Sequence, residues 1–131
     1  MADYKIEPFD LVKCLEFKYY KLIINGKCQF DDFFSDVLKN AIDKSNMKKI
    51  LSLMELFSNK RLIPKQKFNS IKGVGRSDVF EFKTDNLRVY VVKQTPNMYI
   101  ILGGYKKNQS KDIENLKNRI KNFNPKDYGQ N

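Results

Sequence analysis

The chain has no histidine and no tryptophan, and only two cysteines, four prolines and six glycines in 131 residues. Without histidine, neither a Ser-His-Asp nor a Cys-His nucleophilic mechanism is available. A zinc site needs Cys and His ligands at close spacing, and Cys14 and Cys28 stand apart with no CxxC, so no metal and no cofactor is expected. No apolar run reaches the roughly 18 residues of a membrane span. The opening MADYKIEPFD has no basic segment followed by an apolar stretch, so it does not read as a secretion signal. A cytoplasmic protein with two reduced thiols and no membrane partner is expected. Any catalysis must be carried by Lys, Arg, Tyr, Asp or Glu.

What is present is positive charge, and it is one-sided. Residues 1–59 carry nine basic and nine acidic side chains; residues 60–131 carry sixteen basic and six acidic, which accounts for the whole net charge of +10. Lys60, Arg61, Lys65, Lys67, Lys72 and Arg76 follow one another with no acid among them. Such asymmetry points to a polyanion partner; a merely solvated basic surface is the plainer alternative.

The length and a hydrophobic fraction of 41% suit one domain spanning residues 1–131, with its core over about 13–123 and a flexible tail over 124–131. Lys13–Ile24 is rich in aromatic and β-branched residues and predicts a strand, closed by a turn at Asn25-Gly26. Phe30, Phe33, Phe34, Val37, Leu38, Ala41 and Ile42 form a helical stripe. Ser45-Asn46 offers a break, and Met47, Ile50, Leu51, Met54 and Phe57 form a second stripe. Both are core faces by their pattern. After the basic connector the period becomes two. Asp78–Lys83 and Leu87–Lys93 predict half-buried strands, and Met98–Tyr105, largely apolar, predicts a central one. Ser110 is the expected cap of a last helix built on Ile113, Leu116 and Ile120. The order is β-α-α-β-β-β-α, an α+β domain with an antiparallel sheet packed on helices.

Cleaving RNA requires donors for the scissile phosphate, a base for the 2′-hydroxyl and an acid for the leaving 5′-oxygen. Arg88 sits mid-strand on the face away from Leu87, Val89 and Val91. Its guanidinium fork suits a phosphate, with an ordinary surface arginine as the alternative. Glu81 falls on a face where it can approach Arg88, either catalytically or as a cross-strand salt bridge, the latter slightly favoured. Lys72 and Arg76 flank Gly73 and Gly75, where cations can reach a phosphate backbone, although the P-loop spacing is absent. Tyr105 can stack on a base or donate a proton, and Lys106 and Lys107 can bind phosphates, as can Lys65 and Lys67 in the basic connector.

The run VFEFKTDNLRVYVVKQTPNMYIILGGYKKNQ, followed by SKDIENLKNRIKNF, resembles the C-terminal half of RelE/ParE-superfamily toxins, within them the HigB-like, phage-derived branch. The likeness covers roughly Lys13 to Phe123. NLRVYVV matches the strand with a central arginine, so the resemblance assigns Arg88 to phosphate binding. Gly103-Gly104-Tyr105-Lys106-Lys107 approximates a closing His-Gly-Phe-x-Lys-Lys, and Lys111–Phe123 matches the following helix. The resemblance implies a type II toxin–antitoxin toxin: a ribosome-dependent, metal-independent mRNA endonuclease that cuts in the ribosomal A site and is restrained by an antitoxin. Gly103 stands where many such members carry histidine, so Lys72 or Glu81 would have to serve as base, beside Arg88 and Tyr105. A ParE-like gyrase inhibitor and a catalytically silent RNA- or ribosome-binding module are the alternatives.

Overall fold

The computed structural model describes residues 2–130. Its strands are β1 (Tyr4–Pro8), β2 (Lys18–Ile24), β3 (Phe68–Ser70), β4 (Val79–Lys83), β5 (Leu87–Gln94), β6 (Asn97–Tyr105) and β7 (Gly129–Gln130). Its helices are α1 (Gln29–Val37), α2 (Ala41–Ser58) and α3 (Gln109–Ile120). The strands form one sheet in the order β3-β4-β5-β6-β2-β1-β7. The fold is α+β, as expected, but the sheet is mixed rather than antiparallel. β2 pairs with β6 in parallel, Tyr19 opposite Met98, and β7 pairs with β1 in parallel. β4, β5 and β6 form the expected antiparallel meander. β2 and β6 are far apart in the chain, so no hairpin turn constrains them to run antiparallel.

Period-two alternation sorts the meander onto two faces. Phe82, Leu87, Val89, Val91, Met98 and Ile100 pack with Phe30, Phe33 and Val37 of α1 and Met47, Ile50 and Met54 of α2. Val79, Tyr90, Val92, Ile101 and Leu102 pack on the other face with Leu116 and Ile120 of α3 and with Ile71 and Val74 of the loop before β4. The central strands β5 and β6 are therefore covered on both sides.

The Asn25-Gly26 turn forms as expected. Both residues have positive φ, 52° and 77°, the backbone of a primed hairpin turn, which asparagine and glycine tolerate. The break between the first two helices lies earlier than Ser45-Asn46. Asn40 caps α2, its Oδ1 accepting from the backbone N–H groups of Ile42 and Asp43. Asn46 instead sits inside α2 and donates to the Ile42 carbonyl. The first stripe accordingly ends at Val37, and Ile42 is 69% exposed. Ser110 lies within the first turn of α3, whose cap position is Asn108. Three short strands had no sequence expectation: β1, beside β2, β3, beside β4, and β7, beside β1. Residues 124–130, expected as a flexible tail, fold back on the domain. The Tyr128 ring meets Tyr4 and Phe123 edge-on, each at 5.5 Å, and the backbone of Gly129 pairs with Lys5. Asn131, also assigned to that tail, lies outside the described residues. Cys14 and Cys28 are free thiols, and among the described residues no helix is long and apolar enough to cross a membrane.

Candidate functional site

A cleft of ≈ 730 Å³ opens where the end of β6 meets the β4–β5 turn, the end of α1 and the start of α2. It is lined by Asp36, Asp43, Asp85, Asn86, Tyr105, Lys106 and Lys107. Each wall has an identifiable anchor. β6 runs past the end of its pairing with β2, which leaves the backbone of Gly103 without a strand partner on that side. Gln29 of α1 substitutes for one: its Nε2 donates to the Gly103 carbonyl and its Oε1 accepts from the Gly103 N–H. Gly103 must be glycine here, because a Cβ would collide with the Phe33 ring. A histidine at this position has no room.

Gln29 and Phe33 thus fix the strand that delivers Tyr105. The Tyr105 ring packs edge-on against Phe33 at 5.3 Å, and its hydroxyl donates to Asp36 Oδ2 at 2.6 Å. Partial burial and the adjacent Asp36 carboxylate push the Tyr105 hydroxyl above its ordinary range, so it keeps its proton at neutral pH. The second helix contributes Asp43, whose Oδ1 accepts from Asn86 Nδ2 at 2.6 Å. Asn86 in turn offers its carbonyl to the Lys106 N–H. The Lys107 ammonium lies 5.9 Å from the Tyr105 ring centroid, within cation–π range.

Arg88 and Glu81 do not reach this cleft. Both are buried on the α3 face of the sheet, at 7% and 6% exposure, whereas Tyr105 belongs to the opposite face. Arg88 Nη1 donates to the carbonyls of Thr84 at 2.6 Å and Leu87 at 2.9 Å, and Arg88 Nε lies 3.6 Å from Glu81 Oε1. Glu81 also accepts from Asn69 of β3 and Gln109 of α3. The cross-strand pair therefore forms and ties four elements together. Arg88 grips the β4–β5 turn from behind, and that turn presents Asp85 and Asn86 to the cleft.

The remaining expected residues fall elsewhere. Lys65 and Lys67 precede the edge strand β3, Lys65 exposed and Lys67 half-buried. Lys72 is exposed on the loop before β4. Arg76 is a clamp: it donates to both Asp78 carboxylate oxygens and to the carbonyls of Ile120 and Phe123 at the end of α3. Gln29, Asp36, Asp43, Asp85 and Asn86 went unmarked in the sequence because each is an ordinary polar residue on a helix face or in a turn.

The Arg76–Asp78 pair makes a pH prediction. Burial alone would push the Asp78 carboxyl up, but the hydrogen bonds and charge of Arg76 outweigh it and hold the group below the usual carboxylate range. A lowered folded-state value stabilises the fold above the unfolded carboxylate value, near ~4, and that contribution disappears as pH falls through the folded-state value. Asp78→Asn should therefore be less stable than wild type at neutral pH and approach it in acid. Urea melts from pH 7 to pH 2 check this; a gap that stays constant would place the effect in packing.

No protein-family model matches the chain, and it matches none of the curated proteins and none of the solved structures with which it was compared.

Proposed function

We propose that this protein is an RNA-cleaving toxin of the RelE/HigB-like kind: a ribosome-dependent mRNA endonuclease that inhibits translation and is held in check by an antitoxin. The observation that carries this reading is the convergence, in one cleft of ≈ 730 Å³, of a neutral Tyr105 hydroxyl, three carboxylates and the lysines Lys106 and Lys107. The succession β2-α1-α2-β4-β5-β6-α3, to which the short strands β1, β3 and β7 are added, and the basic excess of residues 60–131 support it as well.

The cleft holds the groups the reaction needs. One carboxylate of Asp36, Asp43 or Asp85 takes the proton from the 2′-hydroxyl as its oxygen attacks phosphorus. Tyr105 gives a proton to the departing 5′-oxygen, leaving a 2′,3′-cyclic phosphate. Lys106 and Lys107 balance the charge on the phosphoryl oxygens. In this arrangement Arg88 shapes the cleft by holding its turn, and touches no substrate.

The test is induced expression of wild type and of the Lys106→Ala/Lys107→Ala variant, with growth and mRNA 5′ ends followed together. Both lysines are exposed, so the variant should fold. Growth arrest with new ribosome-dependent ends, both reduced by at least tenfold in the variant, is the expected result. Arrest with intact mRNA would indicate a ParE-like gyrase inhibitor instead. Folded wild type with neither arrest nor cleavage would indicate a silent RNA- or ribosome-binding module. The commitment of the Arg88 guanidinium to the Thr84 and Leu87 carbonyls is the observation that favours this second reading.

A further inference from the structure

A second cleft, of ≈ 350 Å³, lies between the loop that precedes β4 and the C-terminal half of α3. Its polarity is opposite to that of the Tyr105 cleft: Arg76, Lys117 and Lys121 line it, with Asn118 and the backbone from Gly73 to Gly75, and no carboxylate does. Lys121 follows the last residue of α3 with helical backbone, so it lies one turn on from Lys117 and on the same side. A helix C-terminus ordinarily presents unsatisfied carbonyls and a partial negative charge. Here Arg76 donates to the carbonyls of Ile120 and Phe123, which removes that obstacle to an anion. The Arg76 fork is committed to both Asp78 carboxylate oxygens, so Lys117 and Lys121 supply the positive charge left for an anion. Lys117 is 3.3 Å from Glu114 in an exposed pair, a weak attachment that a stronger anion displaces.

The loop backbone adds donors. Gly73 and Gly75 have φ of 76° and 82°, the left-handed region that glycine adopts without strain, and nothing lies within 4 Å of where a Cβ would stand on either. Among the described residues, the backbone N–H groups of Gly73, Val74, Gly75 and Arg76 donate to no protein acceptor. Successive unengaged N–H groups in a turn, flanked by Lys117 and Lys121, form an anion-binding concavity. No aromatic side chain lines this cleft, so it offers nothing on which a base could stack.

We propose that this cleft binds backbone phosphate of single-stranded RNA, without reading sequence, and holds the strand at a distance from the Tyr105 cleft. The assignment rests on the RNA-directed reading above, though not on catalysis. Contacts of this kind position a strand rather than specify it. The test measures binding of a short labelled single-stranded RNA across a salt series, for wild type, Lys117→Ala/Lys121→Ala, and a control, Lys48→Ala/Lys49→Ala, which removes the same charge from the exposed side of α2. The α3 variant should bind about tenfold more weakly at low salt. Its log–log salt slope should fall by roughly 1.4, two phosphate contacts at about 0.7 each, whereas the control keeps the wild-type slope. In parallel, RNA and inorganic phosphate should both shift the Gly73 and Gly75 amide resonances of wild type. Equal slopes for the two variants would overturn the proposal. So would amide shifts produced by inorganic phosphate and not by RNA, which would make this a free-phosphate site. Wild type that binds RNA through Lys117 and Lys121 yet cleaves none would overturn the nuclease reading and leave this site standing.

Discussion

Replacing Arg88 with alanine is expected to destabilise the fold by about 3–5 kcal/mol, because it strands a buried carboxylate. Glu81 is 6% exposed, and Arg88 is the cation beside it. The truncation also removes the donors to the Thr84 and Leu87 carbonyls, so the β4–β5 turn loses its grip. Urea unfolding of wild type and Arg88→Ala measures the loss directly. A double replacement, Glu81→Gln with Arg88→Met, removes both charges together and should recover most of it, since an apolar or neutral pair of similar volume often substitutes for a buried ion pair at little cost. A single variant within about 1 kcal/mol of wild type would show the pair to be a surface-like contact of negligible strength. The outcome bears on function. Loss of activity in Arg88→Ala would follow from unfolding alone, so it cannot count as evidence for a phosphate contact unless the stability-restored double variant is also inactive.

On the proposed nuclease reading, Tyr105→Phe is expected to lower the rate of RNA cleavage by about 10²–10⁴-fold, the usual contribution of a positioned proton donor. The ring contact with Phe33 is preserved, and only the hydroxyl bonded to Asp36 is removed. Stability should therefore move by no more than about 0.5–1.5 kcal/mol, the net value of one hydrogen bond. Measuring cleavage and thermal unfolding on the same preparation separates the two effects. The pH profile supplies a second readout. Burial and Asp36 raise the Tyr105 hydroxyl, so the donor stays protonated and the alkaline fall in rate should come above the ordinary tyrosine value of about 10. Cleavage by Tyr105→Phe at the wild-type rate would remove Tyr105 from the chemistry.

Periodicity was a reliable guide where burial is enforced by the chain's own pattern. Phe80 and Phe82 alternate with Glu81, Leu87 and Val89 alternate with Arg88, and the observed register keeps each set on its own face. Helical spacing likewise identified Phe30, Phe33 and Val37, and then Met47, Ile50 and Met54. The helix break was misplaced because two capping residues competed. Asn40 won by satisfying two free N–H groups at the start of α2, while Asn46 found an acceptor one turn behind it. β3 escaped notice because a three-residue edge strand in a basic connector carries too little pattern to register.

For the candidate sites, the type of residue was legible and the place was not. Tyr105, Lys106 and Lys107 lie in the cleft, as their position at a strand end implied, but Arg88 and Glu81 turned away from it. A strand residue has only two directions, and which of them faces solvent depends on where the helices land. α3 covers the Arg88 face, so the guanidinium became a structural tie. Arg76, read as an RNA contact, met the carbonyl end of a helix forty-four residues later in the chain.

By itself, the sequence determined what chemistry is possible and which stretches must be buried. It removed histidine from every mechanism, put the whole net positive charge after residue 59, and wrote the core into periods of two and of 3.6. These are properties of composition and near-neighbour spacing, which survive any arrangement in space. Only the tertiary structure decided that β2 runs parallel to β6, that Gln29 completes the open edge of Gly103, and that aspartates from α1, α2 and the β4–β5 turn line the cleft that holds Tyr105. Each of these joins residues far apart in the chain, and nothing in their local pattern records the partner. Their meeting depends on how two helices pack on one face of a sheet and a third on the other.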